Sequence, residues 1–333
     1  MPTLAQSMED YLDAVGLARS SKTAQTYRHA LHAFQACLEA RGLEPDQMSV
    51  REVSEDWIAL FTTYLKDYAP ASERLYLTAV SGWYEHLAAE SLAHVNLPRL
   101  HLLIRRRARR PGQRLPQFPI EDIEAVLKHA TNLAARSAKD EHQRLRNLRD
   151  RAFLLTLADS GLRVHEACAL RRGDLDVNEG RALVIGKGDR QAVVRLSQRA
   201  LRALKDYLSA RSAFDGASGR PLTSLPLFAR HDRGAGRRVL PMTTTTGRAI
   251  VHERTREALG DASSQTITPH SFRHYFVTTV LRGSGGNLKL AQELARHRNI
   301  AITQRYAHLS DDELDRGFHE IFNARVGEAR PAR

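Results

Sequence analysis

Apolar residues recur at helical spacing through the first hundred positions. Tyr27, Leu31, Phe34 and Leu38 form one stripe along residues 20 to 42, which Ser20 or Ser21 can cap and Gly42 can end. Trp57, Leu60, Phe61, Tyr64 and Leu65 form a second stripe after Ser54, with Pro70 as its stop, and a third helix is expected after Ser72 through Trp83 and Leu87. With the short apolar segment from Leu4 to Val15, these predict an all-helical bundle that ends near Pro98 and carries no strand signal.

From Phe118 the pattern is mixed. Helices are expected near 120–130 and 141–159, followed by a turn at Gly161 and a short helix carrying Glu166 to Leu170. The β-branched runs at 181–185 and 191–196 are separated by the turn signal GKGDR and read as a hairpin. Residues 213–240, rich in Gly, Arg and Pro, read as a loop, and helices resume near Thr244 and continue to the end. Between the two patterns lies RRRARRPGQRLP, six arginines with two prolines and a glycine, a composition that cannot bury a core and suits an extended connector. The predicted class is therefore mainly α with a small β-sheet: a helical unit over 1–104, a basic linker over 105–116 and an α+β unit over 117–333.

A chain of 333 residues suits two domains. Fifty Lys and Arg against 38 Asp and Glu give a formal charge of +12, which favours a polyanionic partner over a neutral small molecule. No apolar run approaches the roughly 20 residues that cross a bilayer, and the N-terminus lacks a basic stretch followed by an apolar one. Cys37 and Cys168, the only cysteines, fall in apolar helical patterns, which leaves no disulfide framework or cysteine metal site. A cytoplasmic protein with no membrane partner is expected.

Five polar signals follow one another in the second half: Arg163 in SGLRVHE, Lys187 in IGKGDR, His270 and Arg273 in PHSFRH, His297 in LARH, and Tyr306 in QRYAHL. Each has a plainer reading by itself. Arg163 could be an exposed turn arginine paired with Glu166, Lys187 a wet hairpin tip, His297 a capping histidine and Tyr306 a core tyrosine. Lys187 does not fit a phosphate loop, which needs glycine where Arg181 stands and Ser or Thr where Gly188 stands. His270, Arg273 and His274 share one helical face after Pro269, but Ser271 occupies the place of a metalloprotease glutamate and no third ligand is clear, so no metal is expected. Three potentially cationic groups on one face repel each other, and a bound phosphate is the simplest compensation. Attack on a phosphodiester gathers negative charge on its non-bridging oxygens, which fixed cations stabilise, while a phenolic oxygen can hold the broken strand as a covalent ester.

The order and context of these residues resemble the tyrosine recombinase, or phage integrase, family, over most of the chain. That family places an Arg in a G-L-R-x-x-E turn, a Lys on a β-hairpin, an H-x-L-R-H helix, and a G-H nine residues before the nucleophilic Tyr. Here Phe272 replaces the usual Leu, and Arg296 replaces the usual Gly before the second histidine. The resemblance implies a helical core-binding domain and a catalytic domain closing around duplex DNA, with no metal or nucleotide cofactor. It implies that Tyr306 forms a 3′-phosphotyrosyl link, with Arg163, Arg273 and His297 stabilising charge, His270 assisting proton removal and Lys187 protonating the 5′ leaving oxygen. Glu166 and His274 stand behind these, and Arg105, Arg106, Arg107, Arg109 and Arg110 are placed along the DNA backbone. The implied activity is site-specific recombination at an inverted-repeat core site, for integration or excision of a mobile element or for resolution of chromosome or plasmid dimers. Self-association to a tetramer on DNA is implied as well, through a C-terminal exchange helix at 310–322. Two rivals are a type IB topoisomerase, which relaxes DNA as a monomer, and a non-catalytic DNA-binding protein.

Overall fold

Phe34, Phe61, Trp83 and Tyr84 meet at the centre of the N-terminal half, all fully buried, with Phe34 in aromatic contact with each of the others and Trp83 with Tyr84, at 5.0–6.3 Å between ring centroids. Burial of each such ring is worth roughly 1.5–3 kcal/mol. The computed structural model describes residues 1–109, 120–186, 190–264, 266–304 and 306, and divides the chain into two compact units, Met1–Gln113 and Arg114–Arg333.

In the first unit the helical stripes fold as the periodicity predicts, into α1 (Leu4–Ala18), α2 (Ser21–Glu39), α3 (Asp56–Tyr64), α4 (Pro70–Ala89) and α5 (Leu97–Arg107). Ser20 caps α2 by accepting from Thr23 N at 3.3 Å. Pro70, expected as a stop, instead opens α4, where a missing N–H costs nothing because the first-turn amides have no intrahelical partner. Pro98 likewise sits in the first turn of α5, behind Asn96, whose side chain accepts from Arg99 N at 3.0 Å. The bundle therefore runs past Pro98, and the linker expected from residue 105 is helical over its first three residues. Arg105, Arg106 and Arg107 form the exposed last turn of α5, where cations complement the carboxyl end of the helix.

Arg109 departs further from expectation. Its backbone N–H donates to Glu73 Oε1 (2.9 Å) and its Nε to Glu73 Oε2 (2.5 Å), while Nη2 donates to the carbonyls of Leu65 (3.1 Å) and Tyr68 (2.5 Å). Glu73 is fully buried and also receives Lys66 Nζ at 3.4 Å. Its carboxyl is driven up by burial, but the Arg109 and Lys66 hydrogen bonds outweigh this and hold it below the ordinary range. The guanidinium of Arg109 is thus engaged in closing the helical unit. Arg110 lies outside the described residues.

The second unit is built on α7 (Glu141–Ser160), buried over most of its length among α6 (Ile120–Asn132), α9 (Gln198–Ala210) and α13 (Pro269–Gly283). A small antiparallel sheet lies beside it, in the order β1 (Leu175–Asp176), β2 (Arg181–Gly186), β3 (Arg190–Arg195). The hairpin pairs Arg181 with Arg195, Leu183 with Val193 and Gly186 with Arg190. The two-residue β1, paired through Leu175 to Ala182, is too short to leave a periodic signal.

The expected loop 213–240 is a correction as well. It contains α10 (Ser212–Gly216), and Leu225, Leu227, Phe228 and Ala229 are fully buried. Arg211, itself fully buried, donates to the carbonyls of Pro226 (2.8 Å) and Leu227 (3.1 Å), to Asp215 Oδ1 (2.8 Å) and to the Tyr207 hydroxyl (3.0 Å). That hydroxyl also accepts from Ala229 N (3.1 Å) and bonds His231 Nε2 at 2.8 Å. Composition signalled the lack of regular structure; it carried no sign that a buried guanidinium satisfies the backbone in its place.

Candidate active site

Gly161 ends α7 in the left-handed conformation, φ +60°, and a Cβ there would stand 2.4 Å from the Phe276 ring, so glycine is required on both counts. The reversal buries Leu162 and delivers Arg163 to the N-cap of α8 (Val164–Ala169). Glu166, in the first turn of α8, reaches back to accept from Arg163 N (Oε2, 2.9 Å) and from Arg163 Nη1 (Oε1, 2.9 Å). The Arg163 side chain keeps 43% of its surface exposed, while that of Glu166 is buried.

Pro269 starts α13, and the spacing from it sets His270, Arg273 and His274 on one face. Arg273 is 2% exposed. Its two terminal nitrogens donate to Gly161 O and Ala295 O, so one side chain ties the Arg163 turn to the end of α14 (Leu288–Ala295). Past Ala295, Arg296 adopts φ +57°, ψ +45°, the left-handed cap conformation, which costs a non-glycine residue roughly 1–2 kcal/mol. Its Nη2 donates to Glu166 Oε2 at 3.0 Å.

His297 follows, its backbone bracketed by Gln292: His297 N donates to Gln292 O (3.0 Å) and Gln292 Nε2 donates to His297 O (3.1 Å). The ring Nδ1 meets the Thr303 hydroxyl at 2.9 Å. Thr303 lies in α15 (Ile300–Gln304), whose start is fixed by Asn299 Oδ1 accepting from Ala301 N at 2.9 Å. This short helix folds back so that the Tyr306 hydroxyl contacts His274 Nδ1, with ring centroids 5.1 Å apart. His274 packs edge-on against His270 at 4.4 Å between centroids. The phenol oxygen thus meets His274, which the resemblance places behind His270.

Arg163 and Arg296 bond the Glu166 carboxylate and Arg273 feels its charge, while His270 and His297 feel the charge of Arg163 and Arg273. Burial, then the Arg163 and Arg296 charges, lowers Arg273 to about 10. Desolvation, then Arg273 and Arg163, holds His270 below the usual imidazole range, and the same order of causes takes His297 down to about 4. At pH 7 His297 is neutral and Arg273 charged. Such a cluster is an anion site before any anion arrives.

A stability consequence follows from His297. Its folded pKa lies below the roughly 6.5 of an unfolded imidazole, so the unfolded chain binds more protons between about pH 6.5 and 4. Stability present above pH 6.5 is lost as pH falls through that window, by about 3 kcal/mol for this group. Urea midpoints of the full chain at pH 7 and 4.5 are expected to differ less in His297→Asn than in wild type. Equal differences would refute the assignment.

Lys187 and residues 310–322 lie outside the described residues. Among the described residues no group of three or more His, Cys, Asp or Glu could hold a metal ion, and no helix is long and apolar enough to cross a membrane. Two contributors have no clear signal in the sequence. Thr303 is one of many Ser and Thr residues and carries no signal; Arg296 stood out only as a departure from the expected glycine.

Residues 121–313 match the phage integrase family. The tyrosine recombinase XerC of Pelobacter propionicus is 35% identical over 240 residues, covering 72% of this chain and 68% of that protein. The tyrosine recombinase XerD of Mycobacterium tuberculosis is 30% identical over 323 residues, covering 92% and 94%. Among solved structures, the XerH site-specific recombinase bound to palindromic difH substrate superposes with a TM-score of 0.65 at 17% identity, covering 89% of this chain and 79% of that one. A lambda integrase dimer bound to a core site gives 0.60 at 18%, covering 92% and 95%. These structures carry the same fold.

Proposed function

The chain belongs to the phage integrase family and is a tyrosine recombinase, an enzyme that cuts and rejoins DNA, and on that footing we propose that Tyr306 is its nucleophile. The phenol oxygen attacks a backbone phosphorus, the bond to the 5′ oxygen breaks, and a 3′-phosphotyrosyl ester forms. The tyrosine proton passes to His274, and the departing 5′ oxygen takes a proton from Lys187. Arg163, Arg273 and neutral His297 hold the non-bridging oxygens. A Thr303 hydroxyl that donates to Nδ1 leaves the proton on Nε2, the tautomer that can donate to phosphate. Reversal of the step by the 5′ hydroxyl of a second strand completes an exchange without metal or nucleotide, since the ester conserves the bond energy.

The observation that carries this reading is the convergence, from four separate segments, of a tyrosine oxygen, its histidine and three clustered guanidiniums. The partner is duplex DNA with an inverted-repeat core site. The helical unit reads that core, Arg105, Arg106 and Arg107 follow its phosphates, and protomers assemble as a tetramer in the cytoplasm through residues 310–322. Substrates of the matched structures, a palindromic site and a core site, support this choice.

The test is covalent capture: sheared genomic DNA from the source organism is incubated with the chain, denatured, and the attached fragments sequenced. Adducts clustered at an inverted repeat are expected, and the flanking sequence names a mobile element or a chromosomal site. Adducts dispersed along the fragments, with relaxation of a supercoiled plasmid by monomer, would favour a topoisomerase. No adduct would leave a DNA-binding protein.

A further inference from the structure

Glu166 has more cation around it than its part in holding Arg163 requires. One oxygen accepts from Arg163 Nη1 at 2.9 Å; the other accepts from both Arg163 N, at 2.9 Å, and Arg296 Nη2, at 3.0 Å. Both carboxylate oxygens are committed, and the Glu166 side chain is 2% exposed. Arg296 is not a surface cation that reached the site by chance. Its side chain is 15% exposed, its Nε is buried without a partner among the described residues, and its backbone holds a left-handed conformation that glycine adopts freely. A long cation is thus kept where the backbone favours glycine, and it spans from the end of α14 to the first turn of α8.

The charges explain what it does there. With Arg163 alone, Glu166 would neutralise the arginine it orients, and the pair would present little net charge to a phosphate. With Arg296 on its second oxygen, the three groups sum to one net positive charge, and Arg163, 43% exposed, remains a cation facing outward. Burial drives the Glu166 carboxyl up, and the Arg296 charge, followed by the hydrogen bonds and charge of Arg163, brings it back below the ordinary range.

We propose that Arg296 is a positioning residue of the recombination site: it shares the Glu166 carboxylate with Arg163, and so fixes the orientation of Arg163 while preserving its charge for the scissile phosphate. This rests on the recombinase reading above. It also accounts for the buried Arg296 Nε, since the guanidinium is aimed at one carboxylate oxygen and not at solvent.

The experiment measures single-turnover adduct formation on sheared genomic DNA for wild type, Arg296→Met, Arg296→Gly and Arg296→Lys, each also in a Glu166→Gln background. Binding of inorganic phosphate, by ³¹P line broadening, and unfolding midpoints are followed in parallel. Arg296→Met and Arg296→Gly are expected to slow adduct formation about 10- to 100-fold, with the half-saturating DNA concentration within about twofold of wild type. Arg296→Lys, which keeps the charge, should recover to within about fivefold, and phosphate binding should weaken in the same order. In the Glu166→Gln background Arg296→Met should cost less than about threefold more, because the shared carboxylate is already gone. Wild-type rates for the Met and Gly variants would overturn the proposal. So would equal losses in both backgrounds, which would mark Arg296 as packing alone. If wild type forms no adduct while the variants still rank as expected in phosphate binding, the recombinase reading fails and the role of Arg296 at an anion site stands.

Discussion

Replacing Tyr306 with phenylalanine is expected to lower covalent DNA attachment by at least about 10⁴-fold while changing DNA affinity by less than about twofold. The change removes a single oxygen. Phenylalanine keeps the ring that packs beside His274 and against the α13–α14 apolar cluster of Val277, Leu281, Ala291 and Ala295, so the fold loses little. What disappears is the only atom of this side chain that can bond to phosphorus. The cationic cluster is untouched, and since phosphate contacts supply most of the affinity for DNA, binding persists. The two quantities are separated by running denaturing gels for the adduct beside mobility shifts for the complex. Parallel loss of both would mean that Tyr306 is a structural residue, and an undiminished adduct would place the nucleophile elsewhere. A phenol with a free pKa near 10 also needs a proton acceptor at neutral pH, so His274→Phe is expected to slow attachment without abolishing it.

The second large effect belongs to Arg273. Its side chain is buried, and both terminal nitrogens serve backbone carbonyls, Gly161 O and Ala295 O. Arg273→Met leaves two buried acceptors without donors, each worth about 1–3 kcal/mol, so a loss of roughly 2–5 kcal/mol is expected in the unfolding of the second unit. Activity should fall by at least about 10²–10³, from the lost cation and from the misplacement of Arg163 and His297, each two residues beyond one of those carbonyls. Arg273→Lys discriminates between the causes. With its pKa near 10 the native guanidinium is charged at pH 7, and so is a lysine, but an ammonium lacks the planar fork that reaches two carbonyls at once. The Lys variant should remain destabilised and slow. Wild-type stability in Arg273→Lys would show that charge alone, and not the bridging geometry, is what the site needs.

The fate of the sequence-based expectations follows from the range over which each signal acts. Stripes such as Tyr27, Leu31, Phe34 and Leu38 report burial on one face of one helix, and such helices fold where predicted. The buried α7 has apolar and polar residues on all sides, and its ends are set by Asp140, which caps it, and Gly161, which stops it. Pro70 and Pro98 misled because a proline ends the helix before it and starts the helix after it with the same chemistry. For the site, residue types and order were legible because phosphoryl chemistry restricts them. The pairings were not. Whether His270 or His274 meets Tyr306 depends on how α15 folds back, and whether Arg109 meets DNA or Glu73 depends on a buried carboxylate 36 residues away. Such contacts join segments far apart in the chain, and no local periodicity encodes them.

The strap that follows α9 has a consequence for which length changes this chain can absorb. Its two ends are metered: Arg211 grips the carbonyls of Pro226 and Leu227, and Tyr207 grips the amide of Ala229 and the ring of His231. Between Asp215 and Leu222 the chain is exposed, and Gly219 has open space around it. Residues can therefore be added or removed near Gly219 with little disturbance of the interior. A single residue added between Leu227 and Ala229 would shift the Tyr207 partners against the Arg211 acceptors, so within this strap added length is better placed near Gly219 than in its buried arm.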